Sequence, residues 1–412
     1  IQAGSNGTNL ANVDLRFDRA AKKLTVKNAE LLDADTIRAC DTPQPEIDAV
    51  IKDALAKAGT EGKKVIGRSE EHLYRAGDKE SQLNNFIAEA TRQGVSNNSS
   101  VTADIGVMNA GGVRAEIEAG DVTYEQAFSV QPFGGENTYV ELKGSDVVQA
   151  LEEQWRDDPD RPMFPLGISD NVSYTYDPAA PVGSKITSVT VDGAPIDPEK
   201  TYVVAGSTFL LGGGDNFKAF TKGTEPANLG YVDLNALVEA LSGGQQQRTS
   251  QSNVGVHLPA PLTAGEEATI ELSSLLFDQG ETATTATATL GDASGSATIS
   301  PNNADQTANE YGTATVKLTV PAGMSGTQEL RITTDAGTEA VVPVEVAPAA
   351  GQAEPNEPEP NEPTPAAENG SSSGDLGWII PVAIAGAFGL ANLVALLFPF
   401  AVDRVLGPVA KR

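Results

Sequence analysis

The stretch FLLGGGDNF, residues 209–217, sets three consecutive glycines and an aspartate between aromatic residues. Glycine adds no side chain to a core and loses more backbone freedom on folding than any other residue. A run of it is therefore kept where another group must approach the backbone closely. Phe209 and Asp215 flank the run, one with a flat apolar face and one with two acceptor oxygens. Two loops upstream are built the same way. MNAGGVRAEI (108–117) joins Asn109 to Gly111, Gly112 and Arg114, and VQPFGGENTYVELKG (130–144) joins Phe133 to Gly134 and Gly135.

Each loop taken alone reads equally as a turn beside a core phenylalanine. Together their chemistry is complementary. Two phenylalanines can stack on a flat ring, each stack being worth about 1–3 kcal/mol per base in nucleic-acid systems. An aspartate suits a pair of ribose hydroxyls, and an arginine fork suits phosphate or carboxylate.

The segments around these loops mix helices and strands. Apolar residues at helical spacing mark helices over 44–59 (Ile47, Val50, Ile51, Leu55) and 79–94 (Leu83, Phe86, Ile87, Ala90), and GSDVVQALEEQW (144–155) is a third. Strands are expected over 171–177, 185–193 and 200–210, with Asp192-Gly193 as a hairpin turn. Without regular βαβ alternation, this is an α+β domain. From about 258 to 346 the pattern becomes short alternating runs: Ile270 and Leu272, then Val316, Leu318 and Val320, each set on one face. Such runs between turns predict a small immunoglobulin-like β-sandwich, acting as a spacer.

Next come GQAEPNEPEPNEPTPAAENGSSSGD (351–375), a semi-rigid Pro/Glu-rich stalk, and LGWIIPVAIAGAFGLANLVALLFPFAV (376–402). The latter carries no charge and exceeds the about 20 residues that span a bilayer. Trp378 borders one end, and Arg404, Lys411 and Arg412 follow the other. Positive charge after the span places the C-terminus in the cytoplasm and the bulk of the chain outside, as a single-pass membrane protein. The chain has 412 residues, with Lys+Arg 28 against Asp+Glu 56 and a net charge of −28. That sign argues against a nucleic-acid partner. A single cysteine, Cys40, excludes a disulfide framework and thiolate zinc sites, and His72 and His257 are the only histidines.

The segments NAGGVRAEIEAGDVTYEQAFSVQPFGGENTYVELKG and YVVAGSTFLLGGGDNF, in that order, resemble the C-terminal domain of the 5′-nucleotidase family over about residues 44–241. That family includes periplasmic UDP-sugar hydrolase and the ecto-5′-nucleotidase of animals. The resemblance implies that Phe133 and Phe209 clamp a base, that Asp215 holds the ribose, and that Asn109 and Arg114 reach the phosphate or ribose side. Gly213 is counted with them as substrate-binding, because the nucleoside is expected against the glycine loop. The family also carries an arginine before its E-S-N-like helix; here KESQLNN places Gly77 there, with Arg75 and Lys79 as neighbouring cations. The histidine motifs of the family's N-terminal metallophosphatase domain, whose two divalent metal ions activate water, do not occur. No catalytic or metal-ligating residue and no cofactor is therefore assigned to this chain, and the two metal ions are expected in an N-terminal domain it lacks.

The expected organisation is a remnant of that domain at 1–40, an interdomain linker helix at 41–66, and the substrate-binding domain at 67–257. The spacer follows at 258–347, the stalk at 348–375, the transmembrane helix at 376–402 and a basic tail at 403–412. The implied function is the substrate-binding half of a cell-surface 5′-nucleotidase or nucleotide-sugar hydrolase, in nucleotide catabolism and salvage. Its substrates would be nucleoside phosphates or nucleotide sugars, and its setting a Gram-positive cell envelope. The alternatives are a non-catalytic surface nucleotide-binding protein and a wall-spanning structural protein.

Overall fold

A computed structural model describes residue 3 and residues 9–39, 44–246, 248–277, 279–280, 282–301 and 311–349. The expected span (376–402), the tail and nearly all of the stalk lie outside the described residues. Among those described, no helix is long and apolar enough to cross a membrane.

The chain begins with an antiparallel hairpin, β1 (Asn9–Asp18) and β2 (Lys23–Asp33), and a short helix α1 (Ala34–Arg38). Helix α2 (Pro45–Gly62) follows, opened by a proline that fits the first helical turn. Then come β3 (Val65–Ser69), α3 (Gln82–Asn98), β4 (Ile105–Asn109), β5 (Gly120–Thr123), α4 (Tyr124–Val130), β6 (Glu136–Lys143) and α5 (Gly144–Glu152). Strands β7 (Leu166–Ile168), β8 (Val172–Tyr176), β9 (Ile186–Val191), β10 (Ala194–Pro195) and β11 (Thr201–Ser207) precede α6 (Thr208–Leu211), β12 (Tyr231–Val232) and α7 (Asp233–Gly243). The last part is all strand: β13 (Asn253–His257), β14 (Leu262–Thr263), β15 (Glu267–Ser273), β16 (Thr285–Leu290), β17 (Ala293–Thr298), β18 (Ala314–Thr319), β19 (Gly326–Thr334) and β20 (Glu339–Ala347).

A five-stranded mixed sheet, β12-β6-β11-β4-β7, is the scaffold of the α+β part. Strand β11 runs parallel to β4 and antiparallel to β6; β12 is antiparallel to β6, and β7 to β4. Helix α3 starts where the Ser81 hydroxyl caps the Asn84 N–H. It lies so close to the sheet that a Cβ on Gly106 would sit 2.1 Å from the Ala88 carbonyl oxygen, and one on Gly167 would sit 2.4 Å from that of Asn84. These glycines let Leu83, Phe86 and Ile87 bury with Leu234 and Leu237 of α7 in one core. On the facing side, Ile105, Val140, Leu142, Val204, Phe164, Phe217 and Tyr176 form a second.

A sheet of order β10-β9-β8-β13-β15-β18 joins the α+β part to the last part. Strand β13 pairs in parallel with β8 and antiparallel with β15. The boundary expected between residues 257 and 258 thus falls inside a continuous sheet. The strands beyond it pack against a second sheet, β14-β20-β19-β16-β17, around a shared core that includes Ile270, Val316, Ala288, Leu330 and Val342. In contrast, the apolar stripe expected on the linker helix is not covered: Ile47, Val50, Ile51 and Leu55 of α2 are exposed. The hairpin also leaves Leu15, Phe17, Leu24 and Val26 exposed.

The joint is fastened by Glu80, just before α3. Its carboxylate accepts from the Ser252 N–H at 2.7 Å, Asn253 Nδ2 at 2.8 Å and Asn85 Nδ2 at 2.7 Å, and also meets the Ser252 hydroxyl. Burial pushes this carboxyl up; the Ser252 and Asn85 donors and the Arg248 charge oppose that shift. Removing Glu80 leaves buried Ser252, Asn253 and Asn85 donors without their acceptor, so Glu80→Ala is expected to destabilise the chain in chemical denaturation by about 1–3 kcal/mol for each donor stranded. A variant within about 1 kcal/mol of wild type would show that the donors re-pair without Glu80.

In the sandwich, Asp335 accepts from the Thr284 N–H at 2.8 Å, the Thr284 hydroxyl at 2.6 Å and the Thr285 N–H at 3.1 Å. These donors, the Thr284 hydroxyl first, hold its carboxyl at about 2, below the ordinary 3.8. Its contribution is complete above pH 3.8 and lost as pH falls towards 2, because the unfolded chain takes up the proton first. The Thr284 and Thr285 amide resonances should titrate with a midpoint near 2; a midpoint near 3.8 would refute the hydrogen-bonded geometry.

Candidate functional site

The sheet order brings five connections to one edge. Strands β4 and β11 are parallel and end there, at Asn109 and Ser207. The antiparallel partner β6 begins there, since Asn137 pairs with Ser207. By the same register β7 begins beside Asn109, and β12 ends beside Glu136. All three glycine loops therefore meet at this edge, together with the segments that precede β7 and follow β12.

They enclose an open cleft of ≈ 480 Å³ lined by Asn109, Arg114, Phe133, Phe209 and Asp215 among others. The two phenylalanines are 64% and 59% exposed, which removes the core interpretation of both. Phe133 follows α4, whose start is fixed by a capping box between Thr123 and Gln126. Arg114 lies with its guanidinium 5.8 Å from the Phe133 ring centre. Its backbone is held by a bond from the Arg114 N–H to the Val130 carbonyl, at 2.9 Å.

Asn109 is buried at the end of β4, and its Nδ2 donates to Asp215 Oδ2 at 2.6 Å. Among the described residues Asp215 Oδ1 has no hydrogen-bond donor, which leaves one acceptor for the cleft. Asp215 and Asn216 both adopt the left-handed conformation, with φ 52 and 66.

The glycine run is crowded by its own neighbours in the chain. A Cβ on Gly214 would sit 2.6 Å from Cε1 of the Phe209 ring and 2.5 Å from its carbonyl oxygen. The close approach is thus by Phe209 itself, which folds back on the loop. Gly213 is outside the cleft lining; its φ of 89 and the nearby Thr221 methyl explain the glycine. Arg75 and Lys79 do not line the cleft either. Arg75 Nε donates to the Val113 carbonyl at 2.5 Å, bracing the first loop from behind, and Lys79 lies 5.4 Å over the Tyr311 ring.

The cleft also holds Gln131, Arg161, Phe164 and Asp233, which the sequence reading passed over. Arg161 stacks 4.2 Å over Phe164. Asp233 is buried at the first turn of α7, and burial pushes its carboxyl up against the Leu234 N–H that it accepts from. The stretch RDDPDRPMF (156–164) has no periodicity to mark Phe164. The only signal for Asp233 was its place before the apolar periodicity of LNALVEAL.

No group of three His, Cys, Asp or Glu side chains among the described residues is arranged to hold a metal ion. His72 lies between Glu116 at 3.1 Å and Glu118 at 2.9 Å, and His257 faces Asp177 at 3.0 Å. Neither lines the cleft. The two metal ions that the family resemblance implies do not fit these residues.

Residues 65–222 match the family described as 5′-nucleotidase, C-terminal domain. Protein UshA of Salmonella pullorum is 38% identical over 137 residues, 33% of this chain and 24% of that protein. Cell wall protein Lmo0130 of Listeria monocytogenes is 33% identical over 199 residues, 44% of this chain and 25% of that protein. The 5′-nucleotidase of Vibrio cholerae is 33% identical over 141 residues, 34% of this chain and 24% of that protein. The chain thus spans about a quarter of the length of these relatives, and its similarity to the 5′-nucleotidase C-terminal domain extends over residues 65–222.

Proposed function

We propose that the cleft binds the nucleoside part of a nucleoside phosphate or nucleotide sugar, as the substrate-binding half of a 5′-nucleotidase or nucleotide-sugar hydrolase. The observation that carries this reading is a pair of exposed phenylalanines, Phe133 and Phe209, lining one cleft with the open oxygen of Asp215. Two exposed aromatic faces lining one cleft offer a flat ligand a surface on which to stack. Asp215 Oδ1 accepts from a sugar hydroxyl, and Asn109 fixes the carboxylate by occupying Oδ2. Arg114 offers its fork to the phosphate. Hydrolysis is assigned to none of the described residues; it falls to two divalent metal ions of a further domain. The uncovered apolar side chains of β1, β2 and α2 are the surface that would meet such a domain.

Calorimetry on the chain with adenosine and uridine tests the clamp. Phe133→Ala and Phe209→Ala should each weaken both nucleosides by about 1–3 kcal/mol, since every base offers a π-face. Asp215→Ala should weaken ribosides and leave free bases unchanged. Equal adenosine affinity in wild type and both Phe variants would end this assignment.

For the setting, we propose a cell-envelope protein on a single-pass anchor, tail inside. This rests on the uncharged run 376–402, on the basic residues that follow it, and on the relative named as a cell wall protein. Protease added to intact cells should remove the nucleoside-binding part and spare a tag placed after Arg412. Digestion of that tag would reverse the orientation.

A further inference from the structure

Arg156, between α5 and β7, does not line the cleft, yet two of its contacts, the Asp215 carbonyl and the Phe217 ring, are on the loop that carries Asp215. Its Nη2 donates to the backbone carbonyl of Asp215. Its guanidinium lies 4.8 Å from the ring centre of Phe164 and 5.5 Å from that of Phe217, and both rings are buried. Desolvation draws the Arg156 guanidinium down from its ordinary value, and the charge of Asp215 is the strongest influence opposing it.

The loop needs such a hold. Two successive non-glycine residues, Asp215 and Asn216, sit in the left-handed region, which side chains other than glycine adopt uncommonly. Strained backbone of this kind persists only where the surroundings over-determine it. Asn109 grips the Asp215 side chain at Oδ2, but a side-chain contact alone does not fix the peptide. Arg156 grips the peptide itself from the opposite element, with its fork oriented by two aromatic faces.

We propose that Arg156 is a positioning residue for sugar recognition: it holds the left-handed Asp215 turn so that Asp215 Oδ1 stays on the cleft. This rests on the reading of the cleft as a nucleoside site.

The test compares adenosine with 2′,3′-dideoxyadenosine by calorimetry on the full chain, in wild type, Arg156→Met, Arg156→Lys, Asp215→Ala and the Arg156→Met/Asp215→Ala double variant. Wild type should prefer the riboside. Arg156→Met, which keeps an apolar chain between the rings but has no donor, should lose about tenfold of that preference while still binding the dideoxynucleoside. Arg156→Lys should fall between the two. In the Asp215→Ala background, Arg156→Met should cost no further preference, because the group it positions is gone. Should Arg156→Met fail to fold, Arg156→Lys decides: an intermediate preference supports the proposal and a wild-type preference overturns it. A wild-type preference in Arg156→Met, or an equal loss for both nucleosides, also overturns it and leaves Arg156 a core brace. If the wild-type chain binds neither nucleoside, the nucleoside reading itself is what fails.

Discussion

A single buried carboxylate has to be satisfied before the two halves of this structure can coexist. Glu80 lies at the entry to α3, and the groups that satisfy it come from α3 itself and from the start of β13. A buried carboxyl group has to be hydrogen-bonded, or the cost runs to several kcal/mol. That demand fixes β13 against the start of α3. Because β13 is also the central strand between β8 and β15, it fixes the sandwich to the α+β part. The all-β portion is therefore an extension of a shared sheet.

The cleft depends on a second, more local set of constraints. Parallel pairing of β4 with β11, and antiparallel pairing of β6, β7 and β12 around them, sends every polar group of interest to one edge. At that edge the rigid parts are buried: Asn109 at a strand end, Phe164 and Phe217 in the core, Arg156 against both. The groups left at the surface, Phe133, Phe209 and Arg114, are the ones a ligand would meet. Pre-organised anchors with exposed faces are the usual economy of a binding site, since little is lost in ordering them.

Most of the site was legible in the sequence for a chemical reason. Glycines beside Asn109, Phe133 and Phe209 signal close backbone approach, and all of the polar and aromatic residues singled out beside them line one cleft. Gly213 lies outside that lining, and its positive φ is not visible in a sequence. The helices over 45–62 and 82–98 were legible from their 3.6-residue spacing, but whether a stripe is buried is not: α3 covers its stripe and α2 does not.

By itself, the sequence determined which local elements form, which loops carry unusual chemistry and which family they resemble, because propensity, periodicity and glycine placement act within a few residues. Tertiary structure decided the rest. Phe164 and Asp233 join the cleft only through the pairing of β7 and β12, and a Cβ on Gly214 would meet the ring of Phe209. Arg156 reaches Asp215 from 59 residues away. Glu80 meets Ser252 across 172 residues and Asn253 across 173. Such contacts are set by strand order and by the need to satisfy buried polar groups, and no local pattern in a chain encodes either.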